Sequence, residues 1–211
     1  MAAGRFITFE GGEGCGKSTQ IRILAERLRA AGKDVLLTRE PGGTELAEKI
    51  RALVREESAD PPNIRAETLL FLASRAQVVE NVIRPALAAG MWVLCDRFAD
   101  STFAYQGYGR GLDLDEIKRI NSFATGGLVP DRTVLLDVSP EVSAKRMRAR
   151  EVATNTDADR MEKAGDDFHA RLKKGFLELA AAEPERFAVI SADGGVEEVG
   201  EAVWNSLQHM L

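Results

Sequence analysis

The stretch GGEGCGKST, Gly11 to Thr19, fits the pattern G-x-x-x-x-G-K-[ST] from Gly11 to Ser18. Arg5 to Glu10 runs straight into it as a short, mostly apolar strand. Ile21, Leu24, Ala25 and Leu28 follow at i, i+3, i+4 and i+7, one face of a helix. Strand, glycine loop and helix in that order make a phosphate-cradling loop. Backbone N–H groups over Gly11, Gly12, Glu13, Gly14, Cys15, Gly16 and Thr19, together with the helix N-terminus, would hold the β- and γ-phosphates of a nucleotide. Lys17 would neutralise them, and the Ser18 hydroxyl would be offered to Mg²⁺. Glu13 is an acid placed where an anion must come close, and the loop by itself does not explain it.

Outward from the loop, Gly32 reads as a helix stop and Val35 to Thr38 as a second strand, ending at Arg39 and the turn-rich EPGG. Thr44 to Glu56 and Ala66 to Asn81 read as helices, and Pro85 starts a short one up to Ala89. Trp92 to Asp96, Thr133 to Asp137 and Phe187 to Ser191 are compact apolar strands without strict alternation, as buried parallel strands are. Val196 to Leu211 closes the chain as a helix. Five strands alternating with helices predict an α/β, three-layer P-loop NTPase fold with a five-stranded parallel sheet, as one domain over residues 1–211. In such sheets ligands collect at the carboxyl ends of the strands. The glycine loop, Arg39, Asp96-Arg97 and the segment after Asp137 all fall there.

The composition sets outer limits. A net charge of −5 over 211 residues argues against a general nucleic-acid coating role, so a polyanionic small ligand would need a local cluster of Arg and Lys. The longest nearly apolar run, Pro85 to Cys95, is too short to span a bilayer, and MAAGRFITF does not read as a signal peptide. Two cysteines, Cys15 and Cys95, make neither a disulfide framework nor a zinc site, and they suit a reducing cytoplasm. The two histidines, His169 and His209, have no metal-ligand spacing, which disfavours a His-based triad or metal hydrolase.

The glycine loop serves kinases, GTPases and motor ATPases alike. The Asn-Lys-x-Asp tetrapeptide by which switch GTPases read guanine does not occur. Asp96-Arg97 ends a strand at the ligand edge, with Asp96 placed for Mg²⁺ through water and Arg97 for a phosphate through its bidentate fork. A strand-end ion pair is the competing reading. Arg39 ends a neighbouring strand, so two guanidiniums converge on one place and a second phosphate is the natural occupant. Phe71 and Arg75 are i, i+4 neighbours on a helix facing one pocket, although Phe71 alone is also compatible with core packing. On composition, RAREVATNTDADRMEKAGDD, Arg148 to Asp167, reads as a solvated loop.

EGGEGCGKST, TREPGGT, FLASRAQ, DRFADSTFAYQG and PDRTVLLDVSPE together resemble bacterial thymidylate kinase, a nucleoside monophosphate kinase, from Phe6 to about Ala192. The resemblance implies transfer of a phosphoryl group from ATP, with Mg²⁺, to thymidine monophosphate, and a homodimer built on helices such as Ala66 to Asn81. It implies that Phe71 stacks on thymine, Arg75 donates to a base carbonyl, and Gln106 reads the base or its surroundings. Tyr105 would press on the sugar with Ser101 in support, while Arg39 and Arg97 would hold the acceptor phosphate. Arg146 would stack on adenine ahead of a lid at about 146–167. Glu13 would lie toward the sugar and toward a basic lid residue. Position 14 is Gly where some relatives carry arginine, so Arg148, Arg150 and Arg160 are the remaining cations for the transferring group, with Arg160 in a D-R-x-E context. The alternatives are a nucleotide kinase of different base choice and a nucleotide-switch protein.

Overall fold

The strands are β1 (Arg5–Glu10), β2 (Val35–Arg39), β3 (Trp92–Asp96), β4 (Arg132–Asp137) and β5 (Phe187–Ser191), all parallel in the order β2-β3-β1-β4-β5. They belong to a computed structural model that describes residues 4–56, 58–154 and 165–211. In the register, Phe9 lies beside Asp96 and Arg39 beside the same Asp96, so the carboxyl ends of three strands come level.

Successive β1 side chains face opposite sides of the sheet. Ile7 and Phe9 pack with Leu94, Val134 and Leu136 against helices α1 (Lys17–Ala30) and α9 (Val196–Leu207). Phe6 packs on the other side with Val93, Cys95 and Phe98, beneath Val78, Val79 and Ile83. Alternation is hidden in the sequence because both faces are buried.

The remaining helices are α2 (Glu45–Arg55), α3 (Ile64–Val78), α4 (Arg84–Ala88), α5 (Ala99–Thr102), α6 (Leu114–Thr125), α7 (Pro140–Thr154) and α8 (Asp166–Ala182). Helix α2 begins where expected because the Thr44 hydroxyl accepts the Ala47 N–H. The helix expected over Ala66 to Asn81 starts earlier, at an Asn63 cap that accepts from Arg65 and Ala66. It ends at Val78, where a wider π-helical turn, Val79–Ile83, takes over. A second π-helical segment, Phe103–Gly109, carries Tyr105 and Gln106.

Part of the segment read as an irregular loop is helical. Arg146, Arg148 and Arg150 all lie on α7, which extends to Thr154. Its residues are mostly strong helix formers and Pro140 occupies the first turn, so propensity suffices without an apolar stripe. Arg160 lies outside the described residues.

Candidate active site

The loop leaves β1 at Glu10 and enters α1 at Lys17. Lys17 Nζ, buried, donates to the carbonyls of Gly11 at 3.1 Å and Gly12 at 2.9 Å. Ser18 Oγ donates to Asp96 Oδ2 at 3.0 Å, which joins the start of α1 to the end of β3. These two oxygen donors suit Mg²⁺, which binds through one or two carboxylates plus substrate phosphates. Among the described residues no group of three or more His, Cys, Asp or Glu could hold a metal by itself.

Arg97 follows Asp96 with φ at 69°, a left-handed conformation that is uncommon for non-glycine residues. Its guanidinium reaches the Gly11 carbonyl at 3.2 Å, Ser101 Oγ at 3.4 Å and Glu13 Oε1 at 2.5 Å. It also lies 5.0 Å from the centroid of the Tyr105 ring. Tyr105 Oη donates to Glu13 Oε1 at 3.0 Å. Burial works against a charge on Glu13, but Arg97, Lys17, the tyrosine hydrogen bond and Arg150 together hold it down at about 2. The loop acid is therefore a carboxylate clamp on Arg97, with Arg150 of α7 close enough to be felt.

Glu10 anchors the chain that follows Arg97. Fully buried, it accepts from Phe98 N at 2.8 Å, Ser101 N at 3.2 Å and Ser101 Oγ at 2.6 Å. Burial and the neighbouring Asp100 push it up to about 7, against the pull of Ser101, Arg97 and Phe98.

Arg75, on α3, is almost completely enclosed. Nε donates to Glu40 at 2.7 Å, Nη1 to Thr102 at 2.8 Å and Asn121 at 2.5 Å, and Nη2 to the Phe98 carbonyl at 2.9 Å. Four of its five N–H groups are used, and one on Nη2 remains for a ligand. Burial pushes Glu40 up to about 7 although Arg75 opposes it.

One cavity of about 500 Å³ joins these groups. Glu13, Lys17, Ser18, Phe71, Arg75, Tyr105 and Gln106 line it, and Arg39, Asp96, Arg97 and Ser101 also border it. Arg39 makes an exposed pair with Glu48 at 2.9 Å. Arg150 borders the cavity, whereas Arg148 is exposed and outside its lining. Arg146 donates to Gly194 O at 3.2 Å and borders a second cavity of about 170 Å³ with Cys15, Thr19 and Gln20.

Sequence reasoning missed Arg51 and Arg55, which line the cavity from α2. Their i, i+4 spacing near Arg39 was an available signal. It also missed Thr102, inside the quoted DRFADSTFAYQG, and the buried partners Glu40, Glu67 and Asn121, for which local sequence carries none.

A glycine loop sharing one cleft with a cluster of arginines, at the carboxyl edge of a parallel sheet, defines a P-loop phosphotransferase with room for a second phosphorylated ligand. The family model described as thymidylate kinase matches residues 9–203. A thymidylate kinase of a Synechococcus strain is 52% identical over 206 residues, covering 98% of this chain and 95% of the relative. That of Deinococcus radiodurans is 48% identical over 204 residues, covering 97% and 96%. The crystal structure of thymidylate kinase from Ehrlichia chaffeensis matches with a TM-score of 0.79 at 34% identity, covering 98% of this chain and all of that one. The chain belongs to the thymidylate kinase family.

Proposed function

We propose that the protein transfers the γ-phosphoryl group of ATP to thymidine 5′-monophosphate, giving the diphosphate used for thymidine triphosphate synthesis. The single cavity that joins the glycine loop to the Phe71–Arg75–Gln106 wall carries this reading. Its lining gathers Lys17, Arg39, Arg51, Arg75 and Arg97, which supports the binding of two anions by an acidic chain.

The acceptor phosphate oxygen is already ionised and needs no strong general base, so catalysis is positioning plus charge stabilisation. Lys17 holds the donor phosphates. Ser18 and Asp96 would hold Mg²⁺, which would supply neutralisation of the phosphate charge. Arg39, Arg51 and Arg97 hold the acceptor phosphate, and Glu13 keeps the Arg97 fork aimed. Phe71 stacks on the base, Arg75 gives its remaining N–H to a base carbonyl, and Gln106 reads the base edge. Tyr105 closes on the sugar, supported by Ser101. Arg146 borders the adenine side, and Arg148, Arg150 and Arg160 belong to a lid at about 146–167. Closing such a lid excludes water that would hydrolyse ATP.

A homodimer is proposed through α3 and α6, where Leu69 and Phe123 are large apolar side chains left in solvent. A cytoplasmic location fits the two free, buried cysteines, and no described helix is long and apolar enough to cross a membrane. The test is ADP release from Mg·ATP over a panel of monophosphates. Thymidine monophosphate should give the highest kcat/KM, and preference for a different base would reject the assignment.

A further inference from the structure

Gln106 borders the cavity, but its amide nitrogen is already engaged: Nε2 donates to Glu67 Oε1 at 3.2 Å. Both side chains are buried, with Glu67 only 1% exposed. Glu67, Phe71 and Arg75 stand at i, i+4 and i+8 on α3, one row along the helix that walls the base end. Arg110 Nε approaches the same Glu67 oxygen at 3.7 Å.

An amide side chain has nearly the same shape when its nitrogen and oxygen exchange places, so packing alone does not fix which end is which. A carboxylate facing an arginine only accepts. It takes one of the two amide N–H groups and forbids the flipped amide, whose oxygen would face its own. The other N–H and the carbonyl of Gln106 are left as an adjacent donor and acceptor. Thymine offers the complement, an N3–H beside a carbonyl. Cytosine offers the reverse, a bare N3 beside an amino group, and it pairs only with a flipped amide.

We propose that Glu67 is a specificity-determining positioning residue: by fixing the orientation of the Gln106 amide, it makes the pocket take a pyrimidine with a protonated N3 and a 4-carbonyl, and refuse a 4-amino pyrimidine. The inference rests on the reading of this cavity as the thymidylate site. Glu67 touches no substrate itself; it acts through Gln106.

The test is Glu67→Gln, nearly isosteric, whose own amide can donate to the Gln106 carbonyl and so permits the flip. Steady-state kcat/KM is measured for thymidine and deoxycytidine monophosphates at saturating Mg·ATP, along with KM for ATP. The thymidylate-to-cytidylate ratio should fall on the order of 10- to 100-fold, because a buried hydrogen-bonding edge that meets its mismatch is strongly rejected. KM for ATP should barely move. In a Gln106→Leu background, Glu67→Gln should change the ratio no further, an outcome that a merely structural role would not produce. Gln106→Leu alone should lower the ratio too, which keeps the test decisive if Glu67→Gln fails to fold. An unchanged ratio in either single variant, equal weakening of thymidylate and ATP in Glu67→Gln, or additive effects in the double variant would overturn the proposal. A parent enzyme that prefers cytidylate would overturn the functional reading and this inference together. A parent that prefers thymidylate with an indifferent Glu67→Gln overturns this inference alone.

Discussion

Arg97 spends strain to point its side chain. A non-glycine residue held at φ 69° costs about 1–3 kcal/mol unless its surroundings over-determine it. Here they do, since Gly11 O, Ser101 and Glu13 take three of its five N–H groups and two remain for a phosphate. Arg97→Lys keeps the charge and loses the fork. Turnover should fall by about 10²-fold or more, the usual effect of removing one preorganised donor. Single-turnover kinetics check it, and a fully active lysine variant would move the acceptor phosphate elsewhere. Glu10, bonded to Phe98 and Ser101, gives a pH signature. Its carboxyl sits at about 7 against an ordinary 4.5, so between those values the folded chain binds more protons than the unfolded one. The stability from Glu10 is then fully present below 4.5 and is lost as pH rises through 7. Glu13, held at about 2, works in a separate window, with stability present above 4.5 and lost as pH falls toward 2. Relative to Glu10→Gln, the parent should therefore lose unfolding free energy between about pH 5 and 7, measured by urea titration. Parallel stabilities across that range would mean Glu10 titrates as an ordinary carboxyl.

Among the elements, legibility follows the kind of force that makes each one. Strands β1 and β3 have the ends their apolar runs indicate, because burial on both faces writes itself into residue type; the edge strand β5, exposed at Val189, is marked by its apolar residues alone. That the glycine loop and the ends of β2 and β3 meet at one cavity was legible for a different reason: the loop motif and the strand ends are local signals. Helix α7 was hidden because it is held by propensity and by the Ser139 hydroxyl, which accepts the Val142 N–H at 3.4 Å, without an apolar face. The π-helical turns are set by packing, and no residue type announces them. Glu40 and Asn121, which lie 35 and 46 residues from Arg75, are invisible until the sheet brings them together. One consequence of α7 concerns Gly14, at φ 67°. A Cβ there would stand 2.8 Å from the Ser143 carbonyl, while Ser143 Oγ donates to Glu13 O at 2.7 Å. The helix lies against the loop so closely that a loop arginine has no place. Gly14→Arg should lose about 1–3 kcal/mol of stability through backbone strain alone and should slow turnover as α7 is displaced. Thermal unfolding and kcat are the readouts; a Gly14→Arg enzyme as stable and as fast as the parent would show that α7 yields freely.

At the scale of the whole molecule, the helices that line the cavity with Phe71 and Arg75, and bond Arg75 through Asn121, also carry large exposed apolar side chains. Phe123 on α6 is 89% exposed and Leu69 on α3 is 61% exposed, on two helices packed against each other. Burying each side chain is worth about 1.5–3 kcal/mol. In a twofold interface every contact occurs twice, so these residues offer roughly 6–12 kcal/mol. That is comparable with the association cost of about 4–15 kcal/mol, which makes them decisive for dimer formation but not sufficient alone. In light scattering the parent should run as a dimer and the double variant Leu69→Asp with Phe123→Asp as a monomer. The inner faces of the same helices hold Phe71, Arg75 and Asn121, so removing the partner should loosen the base wall while leaving the glycine loop untouched. KM for thymidine monophosphate should then rise more than KM for ATP. A parent that is monomeric at micromolar concentration would remove the dimer, and a monomeric variant with both KM values unchanged would separate the outside of these helices from the pocket inside.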